Sequence, residues 1–373
     1  MKSVRYTAVL VLLAATALAQ SKIVIPAGTA EDRALTVISK ESDPQKKVTM
    51  LEDFVKQYAT NPAAVAYGNW QLSQQYVSAD PLKAMEYGDR ALAVMPDALD
   101  ILQTQADLAQ QTKSYEKCVD YATRAAVVIH DIDKKAKPEG TSDEDFKAEI
   151  AREKAATAPV AEYLAAAAYN AMAAEPNKQK RVTEIERFNE SFGDSKLVDN
   201  ANLLAVLTFQ EMNDMPKLVA FGENSLTANP NNATMLTLLA NAFAEDTAGT
   251  NLAKADSYSR KAIELIKADN PSQEANRHIT EGFAHQILGY TLLREGKTPE
   301  AIGELKLASS MLKGDPAKYS VALYRLGFAY AKDKQIANAK QVLSEAENVD
   351  GPFTNASREL LAKVSAMKPA GKK

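Results

Sequence analysis

Residues 83–96 read KAMEYGDRALAVMP, residues 118–128 read CVDYATRAAVV, and residues 217–230 read KLVAFGENSLTANP. The first two segments align with an offset of 34 residues, which sets Tyr87 over Tyr121, Arg90 over Arg124 and Ala91 over Ala125. Against the third, Lys83 falls on Lys217, Tyr87 on Phe221, Gly88 on Gly222, Asp89 on Glu223, Leu92 on Leu226 and Pro96 on Pro230. Pro62 and Pro96 stand at the same 34-residue distance. Self-similarity at a fixed period of this size marks a chain of stacked units whose core runs along an axis.

Other segments carry the second half of the unit. Leu288-Gly289 is followed by Leu292, Gly296 and Ala301; Leu326-Gly327 by Tyr330 and Ala339; Leu239-Ala240 by Phe243 and Ala255. In each, apolar residues recur at three- and four-residue spacing, a short polar break follows, and a second helix opens near a small residue. Two antiparallel helices that approach closely need small side chains where they cross. Gly289 and Gly327 on first helices, and Ala301 and Ala339 on second ones, fill that role, with Leu288, Leu326, Tyr330 and Leu343 around them. A bulky residue at the crossing would overpack it, at about 1–3 kcal/mol. Pro96 and Pro230 close second helices because proline cannot continue one.

The period, the Leu-Gly pair, the aromatic three residues on, the small residue opening the second helix and the terminal proline resemble the tetratricopeptide repeat family, and among its members the secreted bacterial proteins. The resemblance covers nearly all of the chain after its N-terminus, most clearly residues 63–130 and 197–350. It implies an all-α fold, a right-handed superhelical solenoid of antiparallel helix pairs, with first helices lining a concave groove. The chain departs from the family pattern in places. The tryptophan usual early in the first helix is absent, Trp70 lies in another register, Cys118 replaces a small alanine, and the pair at 157–195 is degenerate.

Eight helix pairs are expected, at roughly 29–62, 63–96, 97–130, 157–195, 197–230, 231–268, 275–313 and 316–350. Residues 353–366 read as a terminal capping helix. The organisation is then a signal peptide (1–19), N-terminal pairs (20–130), an inserted loop and helix (131–156), C-terminal pairs (157–350), and a capping helix with a basic tail (351–373). In the insertion, KKAKPEG reads as a loop, Ser142 with Asp145 as a helix start of capping-box type, and Asp143 to Ala156 as an extra helix. Pro159 fits the first turn of the helix after it. The insertion serves as a spacer or as a contact element.

At the N-terminus, Lys2 and Arg5 precede an apolar run from Ala8 to Leu18, and Ala17-Leu18-Ala19 offers a small-x-small cleavage site. That is the layout of a secretory signal peptide, and it predicts an exported protein, periplasmic or extracellular after cleavage near Ala19. The run is about half the ~20 residues a membrane-spanning helix needs, so no retained transmembrane helix is expected. No cysteine stands near the site to carry a lipid. Cleavage removes two basic residues and no acidic one, leaving 42 basic against 48 acidic residues, a net charge of −6. A mildly acidic chain has no general attraction to nucleic acid. The single cysteine, Cys118, rules out an internal disulfide and occupies a crossing position that favours a small buried side chain over a reactive thiol.

No catalytic constellation stands out, and neither a cofactor nor a metal is expected. Of His130, His278 and His285, the last two are seven apart on one helix, and two imidazoles without a third ligand make a poor metal site. They read as surface or groove histidines. Gly296-Lys297-Thr298 suggests a phosphate loop, but Thr291 stands where the earlier glycine is required and a helix precedes it instead of a strand. Asp131, Asp133 and the run Asp143 to Asp145 read as solvated, the latter favouring a helix N-terminus.

The family resemblance places function in the groove. In the last two full pairs Phe283, Gln286, Tyr290, Tyr324, Arg325 and Phe328 are expected to face inward, a set rich in the aromatic and arginine residues that anchor partners. Gln103, Asp107, Gln110 and Asn241 would give a more polar lining upstream. The aromatics either bind a partner or pack on the neighbouring pair or the terminal helix. The arrangement of lysines and asparagines by which some members clamp a C-terminal carboxylate has no match. The expectation is a non-enzymatic protein- or peptide-binding scaffold of the cell envelope or secreted space. The alternative is a self-associating or cell-wall-associated structural module, its groove filled by a second copy.

Overall fold

The computed structural model describes residues 23–268 and 274–367. The signal-peptide segment and the basic tail Lys368–Lys373 lie outside the described residues. Those described form helices joined by turns, with no strand among them. The chain divides into two compact units with the boundary between Ala201 and Asn202.

The first unit holds four antiparallel pairs: α1 (Ala30–Ser39) with α2 (Pro44–Gln57), α3 (Pro62–Tyr76) with α4 (Pro81–Leu92), α5 (Leu99–Gln111) with α6 (Tyr115–His130), and α7 (Asp143–Ala174) with α8 (Lys178–Ser191). Helix α9 (Val198–Glu211) carries the boundary and precedes α10 (Met215–Ala228). The second unit continues with α11 (Ala233–Glu245) and α12 (Leu252–Ala268), α13 (Glu274–Arg294) and α14 (Thr298–Met311), α15 (Pro316–Lys332) and α16 (Ile336–Ala346), and ends with α17 (Thr354–Ala366). From α1 to α8 and from α10 to α17, helices adjacent in sequence pack on one another. Among the described residues this is an all-α array of helix pairs with a terminal helix, and the first helix of the pair expected at 157–195 begins earlier, at Asp143.

Local chemistry fixes the ends. Asn61, Asp80, Asp214, Asn232 and Asp315 each accept a hydrogen bond from a backbone N–H in the first turn of the helix they open. Such caps contribute about 1 kcal/mol apiece. Proline occupies the first turn of α2, α3, α4, α10, α14 and α15, where its missing N–H costs nothing. The turn inside a pair also recurs. Lys113, Asn213, Gly296 and Lys334 follow a first helix with φ of 56°, 55°, 84° and 60°. In each case the next N–H reaches back five residues: Ser114 to Ala109, Asp214 to Phe209, Lys297 to Leu292 and Gln335 to Tyr330, at 2.8–3.0 Å. This left-handed closure satisfies carbonyls at the helix end. Gly296 thus makes a helix-to-helix turn.

The predicted crossings are real. A Cβ built on Gly289 would sit 2.6 Å from Leu305 Cγ, and one on Gly327 2.6 Å from Leu343 Cγ. Each first helix is therefore pressed against its own second helix where the glycine leaves room. Ala301 and Ala339 are fully buried. The glycine shared by the opening motif works between pairs: a Cβ on Gly88 would strike Gln105 of α5, and one on Gly222 would strike Leu239 of α11. The acidic residue after it ties second helices together, with Lys117 at 2.9 Å from Asp89 and Lys254 at 2.6 Å from Glu223. The aromatic two residues before that acid also bonds outward. Tyr87 donates to Glu52 at 2.8 Å, and Tyr121 donates to Asp89.

The insertion differs from its expected form. Asp143 to Ala156 and the next first helix are one continuous helix of 32 residues, and Pro159 lies inside it. Proline removes the bond to the carbonyl of Ala155, but Ala155 and Pro159 are both exposed, so the freed carbonyl meets solvent. Ser142 caps the start by accepting from Asp145 N–H at 3.1 Å, as its spacing predicts. The first half of α7 is held to the preceding 3-10 turn and loop by ion pairs, Asp133 with Lys154 and Lys135 with Glu153, both at 2.5 Å, and Lys137 with Asp143.

Candidate interaction surface

In the second unit the first helices α11, α13 and α15 are tied across their shared face. The Arg325 guanidinium on α15 lies 3.8 Å from the centroid of the Tyr290 ring on α13 and reaches Glu245 at the end of α11. One side chain thus spans three successive pairs. Arg325 is 7% exposed, whereas the Glu245 side chain is 47% exposed, so water still reaches the acid while the cation is covered. Two further cations brace the same face. Arg294 ends α13 and donates to the carbonyls of Ala244 (2.7 Å), Asp246 (2.5 Å) and Thr247 (3.2 Å) at the C-terminus of α11. Lys332, at the end of α15, donates to Leu293 O at the end of α13 (3.1 Å). Each cation meets the negative end of the preceding helix dipole.

The six residues expected in the groove separate into distinct environments. Tyr290 and Arg325 come together as described. Phe328, one turn beyond Arg325 on α15, is 42% exposed. Tyr324 packs against Phe353, just before α17, with ring centroids 4.8 Å apart and the rings tilted by 38°. Phe283 packs beside the buried cluster of Ala308, Leu312, Tyr319 and Leu323. Gln286 is 2% exposed, and its Oε1 has no hydrogen-bond partner. The face thus offers Tyr290 and Phe328 with an acid, Glu245, while Gln286 lies beneath it.

Upstream, in the first unit, Asp107 on α5 accepts a hydrogen bond from the Tyr163 hydroxyl on α7. Burial raises the Asp107 carboxyl above the usual range, against the pull of that hydrogen bond. Tyr163 is exposed, Gln103 half-buried and Gln110 exposed; in the second unit Asn241 on α11 is half-buried. An open cleft of about 380 Å³ lies where α6, the 3-10 turn and α7 meet, lined by His130, Asp133, Lys154, Thr157 and Asp194.

His285 is not a surface or groove residue. It is 3% exposed, with Nδ1 2.5 Å from Glu304 and Nε2 3.8 Å from Glu281, a buried acid that also faces Lys267 at 3.8 Å. The seven-residue spacing from His278 places both on α13 without joining them in a ligand set, and no group of three or more metal-binding side chains is assembled among the described residues. Cys118 is fully buried, its sulfur 3.8 Å from Ala167 O, and burial pushes its thiol up to about 12. A thiol so placed is a packing group.

No family model matches the chain, and no curated protein matches it. Among solved structures it is similar to the crystal structure of the P58(IPK) TPR domain, with a TM-score of 0.31 and 12% identity over 90% of this chain and 98% of that one. The described chain is a helical repeat array. That statement rests on its own packing: the recurrent turns, the glycine crossings and the ties between successive pairs. No helix among the described residues is long and apolar enough to cross a membrane.

Sequence reasoning missed Glu245, Arg294 and Tyr163. Only Arg294 carried a signal, as a cation in the last turn of a helix.

Proposed function

We propose that this protein is a non-catalytic scaffold that holds a peptide or protein segment on the face of α11, α13 and α15, and that it works in the periplasm or outside the cell after cleavage near Ala19. The observation that carries the reading is the exposed Phe328, one helical turn beyond an Arg325 that is itself tied to Tyr290 and Glu245. A large apolar side chain held on a rigid, braced surface loses little conformational entropy on binding. Glu245 adds an accessible acid with which a partner N–H or cation can pair. The signal-peptide layout of residues 1–19 supports export.

The test uses Phe328→Ser, a change at an exposed position, rather than changes at Tyr290 or Tyr324, which hold Arg325 and Phe353. Wild type and variant, matched in helicity by circular dichroism, are used as bait against the native envelope fraction. Recovery of one partner by wild type and its loss with the variant supports the reading. Equal recovery moves the site elsewhere, with the cleft under the insertion next in line. Mass determination of the protein recovered from outside the cytoplasm tests export: a mature chain beginning after Ala19 is expected, and one retaining Met1 to Ala19 would refute cleavage.

A further inference from the structure

The seam between α6 and α8 in the first unit contains a carboxylate that nothing satisfies. Glu184 on α8 is 3% exposed, and both of its oxygens are buried without a hydrogen-bond partner. Its neighbours on the same stripe of α8 are fully engaged with α6. Lys180 pairs with Glu116 at 2.7 Å, and Arg187 pairs with Asp120 at 2.7 Å and touches the Thr123 hydroxyl at 3.4 Å. Glu184 lies between these two ion pairs and lines, with Glu116, Lys180, Thr183 and Arg187, a small cleft of about 150 Å³ open to solvent. Val182, Ile185 and Phe188 of the same helix are buried in the core, so the helix cannot turn the acid outward without leaving its seat.

We propose that Glu184 is a proton-operated catch on the α6–α8 seam: as the neutral acid it lets α8 stay docked, and as the carboxylate it drives α8 to lift from α6 so that the charge reaches water. A buried ionised carboxylate without a partner is far costlier than a buried neutral acid. The charged groups facing Glu184 do not reverse this. From α6 come Glu116 and Asp120, with Cys118 within electrostatic reach; from the turn after α7 comes Glu175; along α8 lie Lys180 and Arg187. Three of the four carboxyl groups are acids other than Glu184, and both cations are spent on two of them. Burial first, then Glu175 and Glu116, raise the Glu184 carboxyl to about 7, with Lys180 and Arg187 pulling the other way. A raised carboxyl binds its proton more tightly in the docked state than in the open one. Docking is therefore fully favoured below the ordinary carboxylate range, weakens as pH rises towards 7, and levels off above it.

Cys118 provides one readout, because it is the only cysteine and is buried on α6 within electrostatic reach of Glu184, its sulfur against Ala167 of α7. The full-length protein and Glu184→Gln, a neutral isostere of the protonated acid, are treated with N-ethylmaleimide at pH 6 and pH 8. Taking the ratio of wild-type to variant rate cancels the thiol's own ionisation. The expected result is a ratio that rises about tenfold from pH 6 to pH 8, as a carboxyl titrating near 7 in the docked state and in the ordinary range in the open state requires. A ratio unchanged between the two pH values overturns the proposal. Hydrogen exchange of the wild type alone gives a second measurement that needs no variant. After correction for intrinsic exchange, α8 amides lose protection between pH 6 and pH 8 if the catch operates. Protection in α8 that stays constant or increases overturns it.

Discussion

Three glycines in the second unit allow the close helix crossing to be tested by the sign of an effect. Replacing a helical glycine by alanine removes backbone freedom from the unfolded chain and improves helix propensity, worth about 0.5–1 kcal/mol of stability where space is open. Gly303 on α14 is such a place: a Cβ there meets nothing within 4 Å. At Gly289 the same Cβ would come 2.6 Å from Leu305 Cγ and 3.2 Å from Ala301 O. At Gly327 it would come 2.6 Å from both Leu343 Cγ and Leu343 Cδ2. The clash falls on a branch carbon, which cannot move without the rest of its side chain, and at Gly289 also on backbone. Overpacking of that kind costs about 1–3 kcal/mol, which exceeds the propensity gain. Gly303→Ala is therefore expected to stabilise by about 0.5–1 kcal/mol, and Gly289→Ala and Gly327→Ala to destabilise by about 1–2 kcal/mol. Urea unfolding followed by far-ultraviolet circular dichroism measures all three, provided the denaturant slope matches wild type. If Gly289→Ala and Gly327→Ala stabilise as much as Gly303→Ala, the first and second helices do not meet where the structure places them.

The left-handed turn at Lys334 predicts that Lys334→Gly stabilises by up to about 1 kcal/mol, because the native φ of 60° is strained for a side-chain-bearing residue; a loss in urea midpoint would contradict it. Arg325→Ala is expected to destabilise the second unit by about 2 kcal/mol, since it removes a buried stem and the ring contact as well as the ion pair, while Glu245→Gln, at a half-exposed partner, costs under about 1 kcal/mol. Equal losses for the two variants would show that the ring contact contributes nothing. Asp89→Asn disturbs three donors together, from Tyr121, Lys117 and Gln105, and is expected to lower stability by about 1–3 kcal/mol in chemical denaturation; a loss below about 0.3 kcal/mol would show that these ties between pairs are idle. For Glu184→Gln, the gain in unfolding free energy over wild type is expected to be larger at pH 8 than at pH 6 by about 1 kcal/mol, and an equal gain at both would place the Glu184 carboxyl in the ordinary range.

Much of the fold was legible because its determinants are local. A cap, a proline in the first turn, and a small residue at a crossing lie within one helix pair, so the 34-residue period exposed them by repetition. Gly289 and Gly327 were found from their place beside Leu288 and Leu326, and the structure sets Leu305 and Leu343 against them. The insertion was harder. Ser142 announced a helix start correctly, but Pro159 suggested a second start. Only the exposure of Ala155 and Pro159, a property of the folded surface, explains how one helix runs through both.

The sequence by itself determined that this chain is a helical array, where its pairs begin and end apart from the one that opens with α7, and that Cys118 is a packing residue. Each of these follows from interactions between residues a few positions apart or from a pattern that repeats. Only the tertiary structure decided that Arg325 crosses Tyr290 to reach Glu245, 80 residues away, that Gln286 and His285 are buried, and that Glu184 lies without a partner between two ion pairs. Those outcomes depend on which side chains from separate helices arrive at the same point and whether water remains there. Periodicity assigns a residue to a face of its helix, but the neighbouring helix that packs on that face fixes its charge partner and its burial.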